Sequence, residues 1–265
     1  MTSINVNTIN CRLCGELATY KFNKIVLNNI DVSYFECHKC KSLQTENPFW
    51  LNIAYENHIS LYDTGSARRN LDNLSAIFIL CKLFRLNNVL DFGGGGGLLC
   101  RLLRDININC FSTDAYSEPV YNQGFKHADF HTPDLVTAFE VIEHFVNPAI
   151  DLDSIFSRNS KSILITTGIY NENDMNWWYL SPESGQHIFF ISERGINHIS
   201  HIYGYSYYHF GNYTYFTKNR LNKITALFVR TLLRKPLRRI ILGMTMLIPT
   251  FGIENDLNKL RNIKK

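Results

Sequence analysis

Val89-Leu90-Asp91-Phe92-Gly93-Gly94-Gly95-Gly96-Gly97-Leu98-Leu99 decides how this chain reads. Asn88 to Phe92 is a short apolar strand, the five glycines form a turn, and Leu98 to Leu103 opens a helix. Strand, glycine turn and helix make the first βα unit of a doubly wound sheet, whose ligand sits above the carboxyl ends of the strands. Glycines let the backbone approach a ligand closely, and the helix N-terminus offers N–H groups. The dinucleotide spacing G-x-G-x-x-G fails in every register, because Leu98, Leu99 or Cys100 occupies its last position. G-x-G-x-G fits, as Gly93, Gly95 and Gly97. A second strand, Cys110-Phe111-Ser112-Thr113, ends in Asp114, 21 residues after Gly93. A carboxylate there can take a ribose diol. Asp91, the one charge in its strand, is placed to orient the loop or to meet a cationic group of the ligand.

Downstream, Asp134 to Phe139 reads as another strand of the same sheet, with Glu140-Val-Ile-Glu143-His144 at its carboxyl end. If a helical turn begins there, Glu140, Glu143 and His144 share a face at i, i+3 and i+4. Two carboxylates and an imidazole can hold a divalent ion that lowers the pKa of a substrate hydroxyl. Without a metal, His144 is a candidate general base. The plain reading, a helix cap and loop anchor, stays open. Ser162 to Thr166 is a further strand, followed by a loop over 168–188 with Trp177, Trp178, Tyr179, Gln186 and His187. Such loops commonly form the acceptor pocket, and aromatic faces suit a sugar ring or an apolar group. The tryptophans could equally close over the crevice as a lid. Ser192 to Ile202 reads as helix, and Tyr205 to Phe210 and Tyr213 to Thr217 as a hairpin joined at Gly211-Asn212.

Upstream, Cys11-Arg-Leu-Cys14 and Cys37-His-Lys-Cys40 form C-x2-C-x22-C-x2-C. Each pair aims two thiolates at one ion, and two pairs complete a tetrahedral zinc site with no open position. A structural zinc ribbon is therefore expected, with Tyr20, Phe22, Ile25, Val26, Val32, Tyr34 and Phe35 supplying its strands. Leu71 to Leu86 has helical apolar spacing, with Cys81 a core thiol.

The 265 residues carry a net charge of +4 that hides an asymmetry. Residues 1–216 hold 15 Lys/Arg against 21 Asp/Glu, whereas residues 217–265 hold 12 against 2. The stretch 218–239 alternates basic and apolar residues as an amphipathic helix interrupted near Pro236, and Ile240 to Ile253 is largely apolar. A basic amphipathic helix beside a short apolar segment predicts peripheral contact with a membrane surface. A helix packed on the body is the rival reading, and nucleic acid is disfavoured by the acidic body. The tail is expected to be removable after Thr217. At 45% hydrophobic and 19% charged residues the chain is neither disordered nor, lacking a 20-residue apolar run, membrane-spanning. Met1 to Asn10 has no signal-peptide pattern, so a cytoplasmic location is expected, with the tail touching the inner membrane surface.

Val89-Leu-Asp-Phe-Gly-Gly-Gly-Gly-Gly97, Asp114 and Asp134-Leu-Val-Thr-Ala-Phe-Glu-Val-Ile-Glu-His144 together resemble the class I S-adenosylmethionine-dependent methyltransferases. The resemblance implies an α/β, Rossmann-like sheet of seven strands over 88–217, following a ribbon at 1–47 and a linker with a helical lid at 48–87. The basic tail is then 218–265. It also implies S-adenosylmethionine as cofactor, with Gly93, Gly95 and Gly97 along its methionine part and Asp114 on the ribose hydroxyls. More narrowly, Gln44-Thr-Glu-Asn-Pro48, Asp63-Thr-Gly65 with Arg69-Asn70, Trp177-Trp-Tyr179 and Gly185-Gln-His-Ile188 are similar to stretches shared by a bacterial group of methyltransferases. That group carries a tyrosine near the position of Gly96. Ribbons of this kind occur in bacterial sugar-modifying members, which points to a sugar hydroxyl or sugar carbon in surface-polysaccharide synthesis. The E-x-x-E-H pattern also resembles metal-dependent O-methyltransferases of ubiquinone synthesis and of small-RNA termini. In the RNA group a downstream histidine completes the metal site, and His187 is its counterpart here, with Mg2+ as the expected ion. A non-catalytic ribbon module that recruits partners is the reading from another class.

Overall fold

The computed structural model describes residues 7–56, 64–126, 132–171 and 175–263. Asp63, part of one of the shared stretches, lies outside the described residues, as do residues 1–6 of the N-terminal stretch. The chain forms two compact units. One combines the N-terminal residues up to 56 with Glu140–Ser157 and Thr167–Gly204. The other combines residues from 64 to Phe139 with Arg158–Thr166 and everything from Tyr205 onward. This division differs from the contiguous segments that the sequence suggests: the cysteine module shares its unit with residues after Phe139.

The first unit is built on an antiparallel sheet of five strands in the order β1-β2-β3-β4-β9. β1 is Thr8–Asn10, β2 Leu17–Val26, β3 Ile30–Cys37, β4 Leu43–Thr45 and β9 Phe189–Phe190. β2 and β3 are the expected ribbon hairpin, bulged between Tyr20 and Phe22. The ribbon does not end at its last cysteine pair, because β4 pairs with β9 through Leu43–Phe190 and Gln44–Phe189. The helices α1 Leu51–Ala54, α4 Pro148–Phe156 and α5 Glu193–Tyr203 complete the unit. Its core is aromatic: Phe22, Tyr34, Trp50, Tyr170, Tyr179 and Phe190 pack with Val26, Val32 and Leu43.

The second unit holds a six-stranded sheet in the order β10-β11-β8-β7-β5-β6. β5 Asn88–Phe92, β6 Asn109–Thr113, β7 Leu135–Phe139 and β8 Ser162–Thr166 run parallel. β11 Tyr213–Thr217 and β10 Ser206–Phe210 close the sheet antiparallel, as the hairpin signal at Gly211-Asn212 predicts. The parallel strands are almost wholly buried, which is why they read as continuous apolar runs. Six strands are present among the described residues, against the seven expected. Beyond β6 the sheet adds one parallel bridge, Ser112 to Lys126, and residues 127–131 lie outside the described residues. α2 Ser66–Phe84 and α3 Leu98–Asp105 pack Leu74, Ile77, Leu80, Leu99 and Leu103 into one core with Val89, Leu135 and Leu164. Cys81 is the buried core thiol its spacing suggests.

The tail departs from expectation. It forms three helices, α6 Lys223–Leu232, α7 Lys235–Thr245 and α8 Phe251–Ile263. The amphipathic stretch is interrupted near Pro236 as expected: α6 ends at Leu232, and Pro236 sits in the first turn of α7, where its missing N–H leaves no bond unmade. Val229, Leu233 and Leu242 are buried in the sheet's core, and Asp256 of α8 receives both arms of the buried Arg104 guanidinium at 2.7 and 2.5 Å. The tail is therefore part of the second unit, and cutting after Thr217 would strip that core. No helix among the described residues is long and apolar enough to cross a membrane.

Candidate functional site

In the second unit, β5 delivers Asp91 and then the glycines. Gly93 and Gly94 donate to the Thr113 carbonyl at 2.8 and 3.3 Å, which ties the turn to the end of β6. Gly97 caps α3 with φ +80°, and a Cβ there would lie 1.6 Å from Asn122 Oδ1. Only glycine satisfies both conditions. Gly95, at φ +54°, meets nothing within 4 Å of an added Cβ, so open space lies above it for a ligand. Its N–H donates to Asp114 Oδ2 at 2.9 Å, and Asp114 Oδ1 accepts from Tyr116 and Ser117 at 2.8 Å. The carboxylate expected on a ribose thus also fastens the glycine turn to the turn after β6. At Gly96, where the similar group carries tyrosine, the carbonyl accepts from Val120 and Tyr121 at 2.9 Å each.

Asp91 is buried, and Thr137 Oγ1 donates to its Oδ1 at 2.8 Å. Burial pushes its pKa up to about 7, the Thr137 bond pulls it down, and the charge of Asp114 pushes it further up. A cationic group brought beside it would restore the carboxylate. Its Oδ2 would lie 2.7 Å from a Cβ on Gly94, so the carboxylate sits directly against the loop and leaves no room for a side chain there. A glycine cradle, a ribose-type carboxylate and a buried acid seeking a cation fit the methionine, ribose and charged groups of S-adenosylmethionine.

The first unit carries the acid–histidine group. The expected helical turn over 140–144 is absent. Glu140 has φ +54°, and a 3-10 turn follows at Ile142–His144. A non-glycine residue in that region is strained and held by its surroundings. Here the holder is Tyr179, whose hydroxyl lies 3.0 Å from Glu140 Oε2 and 2.5 Å from Glu143 Oε1. Its single proton serves two carboxylates. Burial, then the charges of Glu143 and Glu140, push the phenol far above its ordinary pKa. Glu143 is fully buried, and Thr167 Oγ1 donates to its other oxygen at 3.0 Å.

His144 and His187 stand with ring centroids 5.0 Å apart. Nδ1 of His144 lies 3.1 Å from the Gln186 carbonyl and 3.0 Å from the Tyr55 hydroxyl; Nδ1 of His187 lies 2.7 Å from the Tyr179 carbonyl. A carbonyl only accepts, so each Nδ1 carries a proton, which leaves Nε2 as the ring nitrogen that can bear a lone pair. Ligating histidines are characteristically oriented by such bonds. Glu143, His144 and His187 offer ligand atoms within 4.8 Å of one another. Glu140 is not in that group, which corrects the E-x-x-E-H expectation: the backbone turns at Glu140 and Tyr179 takes its carboxylate. Tyr55 and Thr167 were not singled out by sequence reasoning, since neither belongs to a motif; Gln186 was, within Gly185-Gln-His-Ile188, but it is its backbone carbonyl that meets His144. Gly168 was the one available signal, as a Cβ there would lie 2.4 Å from the Tyr179 ring. Trp177 packs in the aromatic core against Tyr170, Tyr179 and Phe190, whereas Trp178 is 81% exposed.

The four cysteines converge as expected. Cys11–Cys40 and Cys14–Cys37 sulfurs are 3.6 and 3.5 Å apart, and all four lie within 4.8 Å of one another. Tetrahedral Zn–S bonds of about 2.3 Å place sulfurs about 3.8 Å apart, so a zinc ion fits. Arg12, between the first two ligands, donates to the carbonyls of Val146 at 3.3 Å, Thr45 at 3.2 Å and Ile188 at 2.7 Å. Ser192 Oγ donates to the Cys40 carbonyl, and Ile188 N–H to the Glu143 carbonyl at 2.8 Å. The cysteine module is thus bonded to segments two residues from His144 and one from His187.

A family described as a methyltransferase domain matches residues 60–209. No curated protein sequence matches. Among solved structures, the methyltransferase domain of bacterial CtHen1-C is 17% identical, covers 57% of this chain and 99% of that one, and gives a TM-score of 0.41. The magnesium protoporphyrin IX methyltransferase of Synechocystis PCC 6803 with bound SAH is 14% identical over 64% and 93%, with a TM-score of 0.44. The plantazolicin methyltransferase BamL, in complex with a triazolic desmethylPZN analog and SAH, is 12% identical over 69% and 79%, also at 0.44.

Proposed function

The chain belongs to the methyltransferase-domain family and is an enzyme; from that premise we propose that it transfers a methyl group from S-adenosylmethionine to a hydroxyl of a sugar. The observation that carries the acceptor chemistry is the pair of imidazoles, each held through Nδ1 by a backbone carbonyl, beside buried Glu143. S-adenosylmethionine supplies an already activated methyl, so the chain's own tasks are positioning and deprotonation. Gly95 gives room for the methionine part while Gly93 and Gly97 shape the turn around it, Asp91 answers a positive charge, and Asp114 takes ribose hydroxyls. His144 accepts the acceptor proton on Nε2, with Nδ1–H held by the Gln186 carbonyl so that the ring cannot rotate away. With Glu143 and His187 the same Nε2 would alternatively ligate a divalent cation; His144 would then be a ligand and not the base, and the cation would lower the pKa of the acceptor oxygen. Two imidazoles and one carboxylate favour a first-row transition metal over the expected Mg2+, which prefers oxygen ligands. Structural zinc in the four cysteines keeps these residues in place. Exposed Trp178, edge-on to Tyr179, supports a sugar as the acceptor class by offering a ring face for stacking.

The test has two arms. S-adenosylmethionine is titrated calorimetrically into zinc-loaded protein, with Mn2+, with Mg2+ and with EDTA. Binding supports the cofactor reading, and no heat in any condition overturns it in favour of a non-catalytic module. Methyl-labelled cofactor is then offered with nucleotide sugars, polysaccharide, lipid and RNA fractions. Label in alkali-stable ethers of the sugar fractions supports the proposal; label confined to lipid or RNA overturns the acceptor class.

A further inference from the structure

The tail helices leave a surface that methyl transfer does not use. On α6, Ile224, Leu227 and Phe228 are 82, 62 and 53% exposed. Their spacing of i, i+3 and i+4 puts them on one helix face, while Val229 of the same helix is buried in the sheet's core. On α7, Ile240, Met244 and Leu247 just beyond its end are 61, 60 and 84% exposed at i, i+4 and i+7, while Leu242 and Thr245 are buried. Phe251, at the start of α8, adds another exposed ring at 63%. Both helices therefore bury one stripe against the same core and turn a second apolar stripe away from it. A helix needs only the first stripe to fold.

The charges beside these stripes have one sign. Between residues 218 and 253 there are eight Lys or Arg and no Asp or Glu. Lys223, Arg230, Arg234, Lys235 and Arg239 are exposed; Arg238 alone turns inward, to Asp72 at 3.6 Å. Lys223 and Arg239 each precede an exposed isoleucine by one position, and Arg230 follows Leu227 by three, which sets these basic residues along the edges of the apolar stripes. They flank the stripe on its rim. Exposed leucine, isoleucine, methionine and phenylalanine rimmed only by cations form the pattern of an interfacial helix, in which the apolar side chains enter the acyl boundary and the cations meet phosphate headgroups. A second copy of this chain would bring like charges together, seven or more on each side, so charge complementarity selects an anionic surface. The helices are already folded onto the body, so binding requires no coil-to-helix transition.

We propose that α6 and α7 form a preformed docking face for an anionic lipid bilayer. The proposal is independent of the acceptor and of the cofactor. The full chain is sedimented with sucrose-loaded vesicles of phosphatidylcholine alone and of phosphatidylcholine with 30% phosphatidylglycerol. The comparison is with two triple variants, Leu227→Ser/Phe228→Ser/Leu247→Ser and Arg230→Gln/Arg234→Gln/Arg239→Gln. Circular dichroism and calorimetric titration of S-adenosylmethionine check that each variant keeps its fold. The expected result is at least tenfold tighter partitioning to the anionic vesicles, lost tenfold or more in each variant and weakened by salt. Wild-type protein left in the supernatant overturns the proposal. So do equal binding to neutral vesicles and a wild-type dimer, seen in sedimentation velocity, that the serine variant dissolves without any vesicle binding.

Discussion

The two units assemble their buried carboxylates by different routes. Asp91, the glycine turn and Asp114 lie within 24 consecutive residues, and each contact among them is set by one strand end and the turns beside it. Glu143, His144 and His187 come together only because Tyr179, Thr167, Tyr55 and the Gln186 carbonyl arrive from three other stretches of chain. The first arrangement is a property of local backbone and needs glycine at fixed positions. The second is a property of packing, and everything that holds its unit together holds the site. That unit is aromatic and anchored through Arg12 to a cysteine cluster; the other unit has a continuous aliphatic core around a parallel sheet. Damage to the cysteines should therefore reach the histidines while leaving the glycine turn intact.

Removing zinc tests that asymmetry with the largest expected effect. Structural zinc sites contribute roughly 10 kcal/mol or more to small folds, beyond what an aromatic core of this size replaces. Cys37→Ser should unfold the cysteine-bearing unit and abolish methyl transfer. Binding of S-adenosylmethionine should change less than about threefold. The tryptophan bands of near-ultraviolet circular dichroism, which report Trp50, Trp177 and Trp178 of the cysteine-bearing unit, and calorimetry on the same sample separate the two units. Loss of cofactor affinity together with the aromatic signal would mean that the units stand or fall as one.

The next effect is confined to the histidines. His144→Ala removes the proposed proton acceptor, and general-base losses run to about 10²–10⁴-fold in rate. The cofactor dissociation constant should not move, because the proposed cofactor contacts come from Asp91, the glycine turn and Asp114 and not from His144. His187→Ala should lower the rate and also release any divalent ion, measured by elemental analysis of the protein after gel filtration. A variant in which the ion leaves but the rate holds would assign proton removal to His144 alone. Unchanged rates in both variants would remove this group from the reaction.

The same contrast explains what the sequence disclosed. The βα turn, the strands at Ser162 to Thr166 and Tyr213 to Thr217, and the four-cysteine site were legible because each rests on local periodicity or fixed spacing. The strained turn at Glu140 was not, because its cause is Tyr179, 39 residues on. Nor was the docking of the tail. A basic amphipathic helix looks the same in sequence whether its apolar residues are covered or exposed, and here Val229 and Leu242 are buried in the core while Leu227 and Leu247 are exposed. The pairing of Arg104 with Asp256 spans 152 residues and leaves no pattern to read.

The smallest effect sharpens the local half of the comparison. Asp91 has a native pKa raised to about 7 from an ordinary value of 3.8, chiefly by burial. Below pH 4 it is protonated in both folded and unfolded chains and contributes no slope. Between those two values the native state keeps a proton that the unfolded state has lost. Stability therefore falls as pH rises, by at most about 1.4 kcal/mol per pH unit, and flattens above about 7. Asp91→Asn abolishes that slope, because an amide does not titrate. Denaturant titrations of both proteins at pH 5, 6, 7 and 8 measure it, and parallel profiles would show that Asp91 is not the group responsible. With cofactor present the sign of the argument reverses. A cation beside Asp91 favours the carboxylate, so binding at pH 6 should release a proton, read as a dependence of calorimetric enthalpy on the buffer's ionisation enthalpy. Release in the wild type and none in Asp91→Asn would tie the buried acid to the charge of its ligand, whereas none in either would leave Asp91 as a support for the glycine turn alone.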